Sequence, residues 1–273
     1  MPENIPDFGG VKVGQTVYGD CPNCGYTKAL AITRTGERML FHCHAGCAQD
    51  ELWRTVHGHE PPVAAPGERR QIGCGTTSNF ILSMWKQSQP ALGTVVETYL
   101  ANRGIVGSVA SIRFFPDHLH RPTGTNWPVM LAAVTDCSGR LHAVHRTYLA
   151  PDGSGKAPVQ PAKMSLGPVG GLSCHLAAPG THLAVAEGIE TGLSVQHATG
   201  IPTWAALSAG GMRNLILPKL PHATFVTIAA DADQVGIHSA QFAAERWISE
   251  GRKVRIVLPK LGKDFNDVLR ATV

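Results

Sequence analysis

The stretch TFVTIAADADQVG, residues 224–236, is the strongest indication of the fold of the C-terminal part of the chain. A run of apolar and β-branched residues ends in two aspartates, Asp231 and Asp233, with one alanine between them. A short apolar run bounded by polar turn residues is typical of a strand that is buried on both faces. If the extended conformation continues through Asp233, both carboxylates face the same side, because side chains along a strand repeat every two residues. The stretch therefore predicts a buried strand with two carboxylates at its carboxyl end.

The same alternation of apolar runs and helical patterns extends from residue 181 to residue 273. Further strand-like runs are HLAVAE, IPTWAAL and KVRIVLP, and the intervening helical patterns are GIETGLSVQHAT, GIHSAQFAAERWISEG and DFNDVLRA. Strands that alternate with helices, each strand a continuous apolar run, predict a parallel sheet covered by helices on both faces. We therefore expect residues 181–273 to form an α/β domain with a Rossmann-like parallel sheet.

Acidic residues follow three of the predicted strands. Glu187 follows the first strand, Asp231 the third, and Asp264 and Asp267 the last. Functional groups of such sheets collect at the carboxyl ends of the strands, and clustered carboxylates repel one another unless a cation neutralises them. Oxygen ligands suit Mg²⁺ or Mn²⁺, which commonly serve phosphoryl transfer. The alternative for the Asp-x-Asp pair is that one aspartate caps the following helix.

The segments AEGIETG, AADADQVG and KDFND, in this order, resemble the Toprim domain, which bacterial-type DNA primases share with type IA and type II topoisomerases and some nucleases. VAEGIETGLS followed by GKDFNDVL resembles the small primases of phages and plasmids in particular. The resemblance implies that Glu187 acts in acid–base chemistry or in metal binding. It also implies that Asp231 and Asp233 bind the catalytic Mg²⁺ or Mn²⁺, together with either Asp264 or Asp267.

A cysteine cluster lies in the first fifty residues and contains four of the seven cysteines: Cys21, Cys24, Cys43 and Cys47. KALAIT and RMLFHC flank the turn RTGE between the two cysteine pairs and predict a β-hairpin. Two pairs of cysteines joined by a hairpin are typical of a structural zinc site. His42 or His44 remains open as a replacement for one of the four cysteines. We expect a zinc ribbon over residues 1–56.

The ending HCHAGC resembles that of the zinc ribbon at the N-terminus of phage and bacterial primases. The second zinc ligand of that family is frequently a histidine, whereas this sequence has Cys24 at the position. The resemblance implies that the ribbon contacts template DNA.

Two regions separate the ribbon from the acidic domain. Residues 57–79 are rich in proline, glycine and small polar residues and predict a linker. Residues 80–180 begin with a helical pattern, and WPVMLAAVTDCSGRLHAVHRTYL then predicts a hairpin with its turn at residues 136–139. This mixed α+β region is similar to the basic domain that precedes Toprim in phage-type primases.

A polynucleotide synthesiser needs cations for the template backbone and for the triphosphate. Arg146 and Lys163 are the leading candidates in the middle region, followed by Lys156 and Arg113. For each of them the alternative is an ordinary solvated surface charge.

The sequence thus predicts a DNA primase that makes short RNA primers from ribonucleoside triphosphates on single-stranded DNA, for a phage, plasmid or other mobile element. A Toprim-type nuclease and a non-catalytic nucleic-acid-binding accessory module are the alternatives. No G-x-x-x-x-G-K-[ST] motif occurs, so we expect any helicase to be a separate protein. The polar N-terminus and the lack of an apolar run near the ~18 residues of a membrane span predict a cytoplasmic protein.

Overall fold

The protein is described by a computed structural model over most of its length. The described residues are 11–13, 16–23, 25, 30–35, 38–43, 47, 49–58, 77–107 and 109–272. The chain divides into two compact units, Met1–Gln71 with Ser208–Gly210 and Ile72–Leu207 with Gly211–Val273. None of the helices in the described part combines the length and the apolarity that crossing a bilayer requires.

Some of the predictions for the N-terminal half concern residues that are not described. Cys24, His44 and residues 59–76, which make up most of the predicted linker, lie outside the described residues.

The first unit is built on an antiparallel sheet of four strands in the order β1-β2-β3-β4, followed by a helix. Its elements are β1 (Val11–Val13), β2 (Thr16–Gly19), β3 (Leu30–Thr35), β4 (Arg38–Cys43) and α1 (Gln49–His57). Strands β3 and β4 pair in continuous antiparallel register, which is the predicted hairpin. Leu30 and Leu52 are fully buried, and Phe41 of β4 packs edge-to-face on Trp53 of α1 with ring centroids 5.9 Å apart.

The second unit begins with an antiparallel sheet in the order β5-β6-β7-β8-β9. The elements are α2 (Thr77–Gln87), β5 (Gln89–Pro90), α3 (Val95–Ala101), β6 (Ile112–His120), β7 (Thr125–Thr135), β8 (Leu141–Tyr148) and β9 (Lys163–Leu166). Strands β7 and β8 are the predicted hairpin. In its turn the Gly139 N–H donates to the Asp136 carbonyl oxygen at 2.8 Å, and the Asp136 carboxylate accepts from the Ser138 N–H at 2.9 Å.

The C-terminal sheet has the strand order β10-β12-β11-β13-β14. The elements are β10 (Cys174–His175), β11 (His182–Ala186), α4 (Ile189–Thr199), β12 (Thr203–Ala205), α5 (Ala209–Asn214), β13 (Phe225–Ala229), α6 (Gln234–Ser249), β14 (Lys253–Val257) and α7 (Phe265–Arg270). The last four strands of the order are parallel, as the alternation of strands and helices predicted. The antiparallel edge strand β10 was not predicted from the sequence.

The two faces of the middle sheet meet different partners, and this difference positions the functional groups. On one face Val144 and Tyr148 of β8 pack with Ile81 of α2. On the other face Met130 and Ala132 of β7 share a core with residues of α3 and α4. Side chains of β8 alternate between these two faces. Only the β8 side chains on the face that packs with α3 and α4 can approach the C-terminal sheet.

Candidate metal and nucleotide site

The acidic segments meet at the carboxyl edge of the C-terminal sheet. Ala186, Ala229 and Val257 are aligned in the ladder, and Glu187 directly follows the first of these strand ends. Strand β13 ends at Ala229, so the Asp-x-Asp pair lies in the loop before α6 and not in the strand itself. The N–H of Ala232, between the two aspartates, donates to the carbonyl oxygen of Lys263 at 2.8 Å. This bond ties the Asp-x-Asp loop to the KDFND segment.

Asp233 caps helix α6, because its carboxylate accepts from the Gly236 N–H at 2.8 Å. The helix starts very close to the preceding loop: a Cβ on Gly236 would lie 2.7 Å from the backbone oxygen of Asp231. Asp264 caps α7 in the same way, accepting from the N–H groups of residues 266 and 267. The capping alternative therefore applies to Asp233, and the cap also fixes where this carboxylate lies.

The environment of Asp231 differs from that of an ordinary surface carboxylate. Its Oδ1 is buried, and within the described residues this atom has no hydrogen-bond partner. Burial, together with the charges of Asp264 and Asp233, raises the pKa of Asp231 to about 6. A half-buried carboxylate among other carboxylates is stabilised by a bound cation. The donor set therefore fits a hard divalent ion.

The carboxylates are spaced more widely than the ligands of a closed protein metal site. Within the described part of the chain, only the cysteines of the first unit bring three ligand atoms within 4.8 Å of one another. Mg²⁺ usually keeps several water ligands and is held by one or two carboxylates together with substrate phosphates. The open spacing of the acidic edge is compatible with this mode of binding.

An ion pair between a buried acid and a partly exposed lysine lies next to the acidic edge. The Nζ of Lys163 donates to Oε2 of Glu190 at 2.9 Å, and the Tyr99 hydroxyl donates to Oε1 of Glu190 at 2.7 Å. Burial by itself would raise the pKa of Glu190, but the charges of Lys163 and Lys156 outweigh it and hold this pKa well below its usual range. Glu190 is thus ionised, and two lysines share its charge.

Lys156 and Lys163 are close enough to affect each other. Burial lowers the pKa of Lys156, and the neighbouring charge of Lys163 lowers it further. The Lys163 side chain remains 35% exposed, which leaves its ammonium accessible to a ligand. The charge of Lys163 also lowers the pKa of Asp231 against the larger effect of burial. The two lysines and the acidic edge are therefore parts of one electrostatic cluster.

Hydrogen bonds of Asn266 with Arg103 and Ser194, called the clasp below, hold the KDFND segment in place. Asn266 is 1% exposed, and its amide donates to the Arg103 carbonyl oxygen at 2.8 Å and to the Ser194 Oγ at 3.0 Å. The Arg103 guanidinium donates back to Oδ1 of Asn266 at 3.1 Å and lies over the Tyr99 ring, 5.0 Å from its centroid. These contacts fix α7, and with it Asp264, relative to α3 and α4.

Four further residues of the site were not predicted from the sequence: Tyr99, Arg103, Glu190 and Asn266. A signal for Glu190 was present: α4 reads IETGLSVQHAT and has no charged face, which is typical of a buried helix. A single acid in such a helix needs a partner. Tyr99 lies outside the acidic domain in sequence, yet its hydroxyl reaches Glu190; burial, followed by the charge of Glu190, raises the pKa of Tyr99 above its usual range. This hydroxyl is a hydrogen-bond donor to a carboxylate and is not set up as a nucleophile.

The four predicted cations divide between the two faces of the middle sheet. Thr147 pairs with Lys163 in the β8–β9 ladder, whereas Arg146 pairs with Met164, so Arg146 and Lys163 project from opposite faces. Arg146 donates to Nε2 of His118 at 3.1 Å and to the hydroxyl of Tyr148 at 3.4 Å, on the α2 side.

Arg113 also belongs to the α2 side. It donates to the Ser88 Oγ at 2.7 Å and lies over the Trp85 ring, 5.4 Å from its centroid. The structure thus brings Lys163 and Lys156 to the acidic edge, and it does not bring Arg146 or Arg113 there.

The described cysteines of the first unit also converge. The Sγ atoms of Cys21, Cys43 and Cys47 lie within 4.8 Å of one another, and the Cys21–Cys47 distance is 3.8 Å. Zn–S bonds of about 2.3 Å in a tetrahedron place sulfur atoms about 3.8 Å apart, so this thiol set fits zinc. His42 is exposed and is not part of this described group. Cys24, the fourth predicted ligand, is among the undescribed residues.

Comparison with known protein families supports the prediction of a Toprim domain in the C-terminal part of the chain. A family model described as the Toprim domain matches residues 182–273, and another, described as a domain of unknown function (DUF7146), matches residues 76–176. Residues 182–273 are therefore a Toprim domain with its acidic segments at one sheet edge.

Solved structures of primases are similar to this chain. A structure of the DnaG primase catalytic domain bound to single-stranded DNA has a TM-score of 0.50 and 17% identity, covering 70% of this chain and 73% of that one. A DNA primase domain from Pseudomonas aeruginosa has a TM-score of 0.49 and 16% identity, covering 71% and 74%. The zinc-binding and RNA polymerase domains of the Aquifex aeolicus primase have a TM-score of 0.49 and 15% identity, covering 96% and 77%. The first likeness shows a shared fold, and the other two carry no further weight.

Proposed function

We propose that this protein is a primase-like nucleotidyltransferase that joins ribonucleotides into short primers on single-stranded DNA during replication of a phage, plasmid or other mobile element. The observation that carries the proposal is that Asp231, whose buried Oδ1 has no hydrogen-bond partner among the described residues, lies at the strand edge where the Lys163–Glu190 ion pair also supplies positive charge. Nucleotide transfer needs both a divalent cation and positive charge for the polyphosphate, and this edge offers groups for both. The Toprim domain and the fold shared with a DnaG primase catalytic domain support the proposal.

The acidic residues would hold Mg²⁺ or Mn²⁺. Asp231, Asp233 and Asp264 are the proposed ligands, and Glu187 would ligate the cation or move a proton. The bound cation supplies stabilisation of the charge that develops on the phosphate and lowers the pKa of the attacking hydroxyl. Asp264 is preferred over Asp267 because its charge is one of those that raise the pKa of Asp231.

The basic residues would bind and orient the nucleotide. Lys163 is accessible beside Asp231, so its ammonium can contact a triphosphate that a cation at the acidic edge also contacts. Lys156 adds a second positive charge to the same cluster. In the first unit, the cysteine cluster would hold structural zinc and keep the four-stranded sheet in a conformation that contacts the template.

The alternatives use the same residues differently. A Toprim nuclease would use the acidic edge to cut phosphodiester bonds, and the products of the reaction distinguish it from a primase. A non-catalytic binding module has no use for a buried carboxylate oxygen without a hydrogen-bond partner, since such a group is destabilising. The carboxylate oxygen of Asp231, which is buried and has no hydrogen-bond partner in the described part of the chain, therefore favours a catalytic role for this edge.

Primer synthesis tests the proposal. The full chain is incubated with single-stranded DNA of randomised sequence and labelled ribonucleoside triphosphates, with Mg²⁺ or Mn²⁺ and with a chelator. The test variant is the Asp231→Asn, Asp233→Asn double mutant, because asparagine preserves size and can still cap α6. The control is Glu245→Gln on the exposed side of α6.

We expect short, metal-dependent, ribonucleotide-containing products from the wild type and from the control, and none from the double mutant. Degradation of the DNA without synthesis would replace the primase by the nuclease. Binding of the DNA without any product, to the same extent in wild type and double mutant, would contradict both catalytic functions.

A further inference from the structure

Glu190 is a buried charge that the proposed reaction does not use directly. Its side chain is 6% exposed, and its two oxygens are occupied by the Tyr99 hydroxyl and the Lys163 ammonium. It comes from the first turn of α4, three residues after Glu187. A buried carboxylate is retained at considerable desolvation cost, so its contacts indicate what it does.

Lys163 forms an ion pair with Glu190, and its charge also acts on Asp231. Its charge lowers the pKa of Asp231 against the larger effect of burial. Its 2.9 Å contact is with Glu190, and among the residues that the structure describes Asp231 takes part in no ion pair. Lysine has a flexible side chain with a strongly attracting ammonium. Without Glu190, the ammonium loses its ion-pair partner, and we expect it to turn to Asp231, on which its charge already acts.

We propose that Glu190 is a positioning residue that holds the Lys163 ammonium away from Asp231. Asp231 is then left for a divalent cation, and the exposed side of Lys163 is left for the polyphosphate. The inference rests on the proposed function, since it assumes that Asp231 binds metal. Glu190 itself touches neither the cation nor the nucleotide.

Tyr99 and Lys156 complete this arrangement. The Tyr99 hydroxyl binds Oε1 of Glu190, which orients the carboxylate so that Oε2 faces Lys163. The charge of Lys156 also stabilises the ionised Glu190. The position of Glu190 in the first turn of α4 adds the favourable field of the helix N-terminus.

Direct metal binding tests the inference without requiring primase activity. Binding of Mn²⁺ to the nucleotide-free full chain is measured by electron paramagnetic resonance of the free ion, for the wild type, Glu190→Gln, Lys163→Gln and the Glu190→Gln, Lys163→Gln double mutant. Asp231→Asn defines binding at other sites.

We expect Glu190→Gln to weaken Mn²⁺ binding by about fivefold, because the released ammonium competes for Asp231. The double mutant removes the competitor and should return to within about twofold of the wild type.

The outcomes separate the inference from the proposed function. The positioning role alone is overturned if Glu190→Gln binds Mn²⁺ as tightly as the wild type. It is also overturned if Glu190→Gln binds Mn²⁺ more weakly and the double mutant does not restore the affinity. If Asp231→Asn binds Mn²⁺ as tightly as the wild type does, Asp231 is not a metal ligand, and both the proposed metal site and the inference fail. If Glu190→Gln does not fold, Tyr99→Phe decides, because it keeps the packed ring and removes one bond to Glu190. A smaller loss of affinity in the same direction supports the role, and no loss overturns it.

Discussion

Asp231→Asn is expected to stabilise the metal-free protein and to abolish its response to Mg²⁺. Burial and the neighbouring carboxylates raise the pKa of Asp231 from 3.8 to about 6. The folded state therefore binds a proton at this residue more tightly than the unfolded state, and the ionised carboxylate opposes folding at neutral pH. A shift of about two pKa units corresponds to about 3 kcal/mol, which solvent screening of a half-buried group reduces to about 1–2 kcal/mol.

The assay is thermal unfolding at pH 8 with and without Mg²⁺. In the absence of the ion, the Tm of the variant should exceed that of the wild type by about 3–6 °C. The gain should be about half as large at pH 5, because Asp231 of the folded wild type is then largely protonated. Saturating Mg²⁺ should raise the Tm of the wild type, since the ion binds only the folded state, and should leave the variant unchanged.

Glu245→Gln is the matched control, because it makes the same change of net charge on the exposed side of α6. A variant that is less stable than the wild type at pH 8 would refute the reasoning about the desolvated carboxylate. An equal Mg²⁺ response in the variant would show that the ion binds elsewhere.

Three further predictions concern the cysteine cluster, the hydrogen bonds of Asn266 and the lysine pair. Cys43→Ser should lose the bound zinc while Cys137→Ser, outside the cysteine cluster, retains it, as measured by elemental analysis; equal zinc contents would contradict the cysteine site. Asn266→Ala removes the three hydrogen bonds that hold α7 and should lower the free energy of unfolding by about 2–3 kcal/mol in urea titrations, and a loss within experimental error would show that the clasp is dispensable. Lys156→Gln should raise the KM for ribonucleotides by about tenfold with a smaller effect on kcat, and the exposed control Lys219→Gln should leave KM unchanged; a matching rise in the control would indicate a non-specific charge effect.

The fold of the C-terminal sheet could be predicted from local sequence, because strands buried on both faces read as continuous apolar runs. Leu183 to Ala186 are fully buried in β11, and the same pattern marks β13. The order of strands and helices then places Glu187 and Asp231 at one edge without further information. The antiparallel strand β10 escaped prediction because two residues carry no periodicity.

The cysteine cluster was predictable for a similar reason. Cysteine is a chemically distinctive residue, and the two pairs flank a hairpin whose alternation is visible in the sequence. Chemistry that depends on residue type and short spacing can be read locally.

The division of the cations, by contrast, was decided by tertiary structure. Arg146 and Lys163 have similar local contexts, but the pairing of Thr147 with Lys163 sends the two side chains to opposite faces of the sheet. A β8–β9 register one residue different would put both side chains on the same face, and no local pattern determines that register. Glu190 depends on partners 27 and 91 residues away along the chain. The sequence by itself determined which chemical groups this protein carries at its strand ends. Only the tertiary structure decided which charges face them, because electrostatic neighbours are set by distance in space.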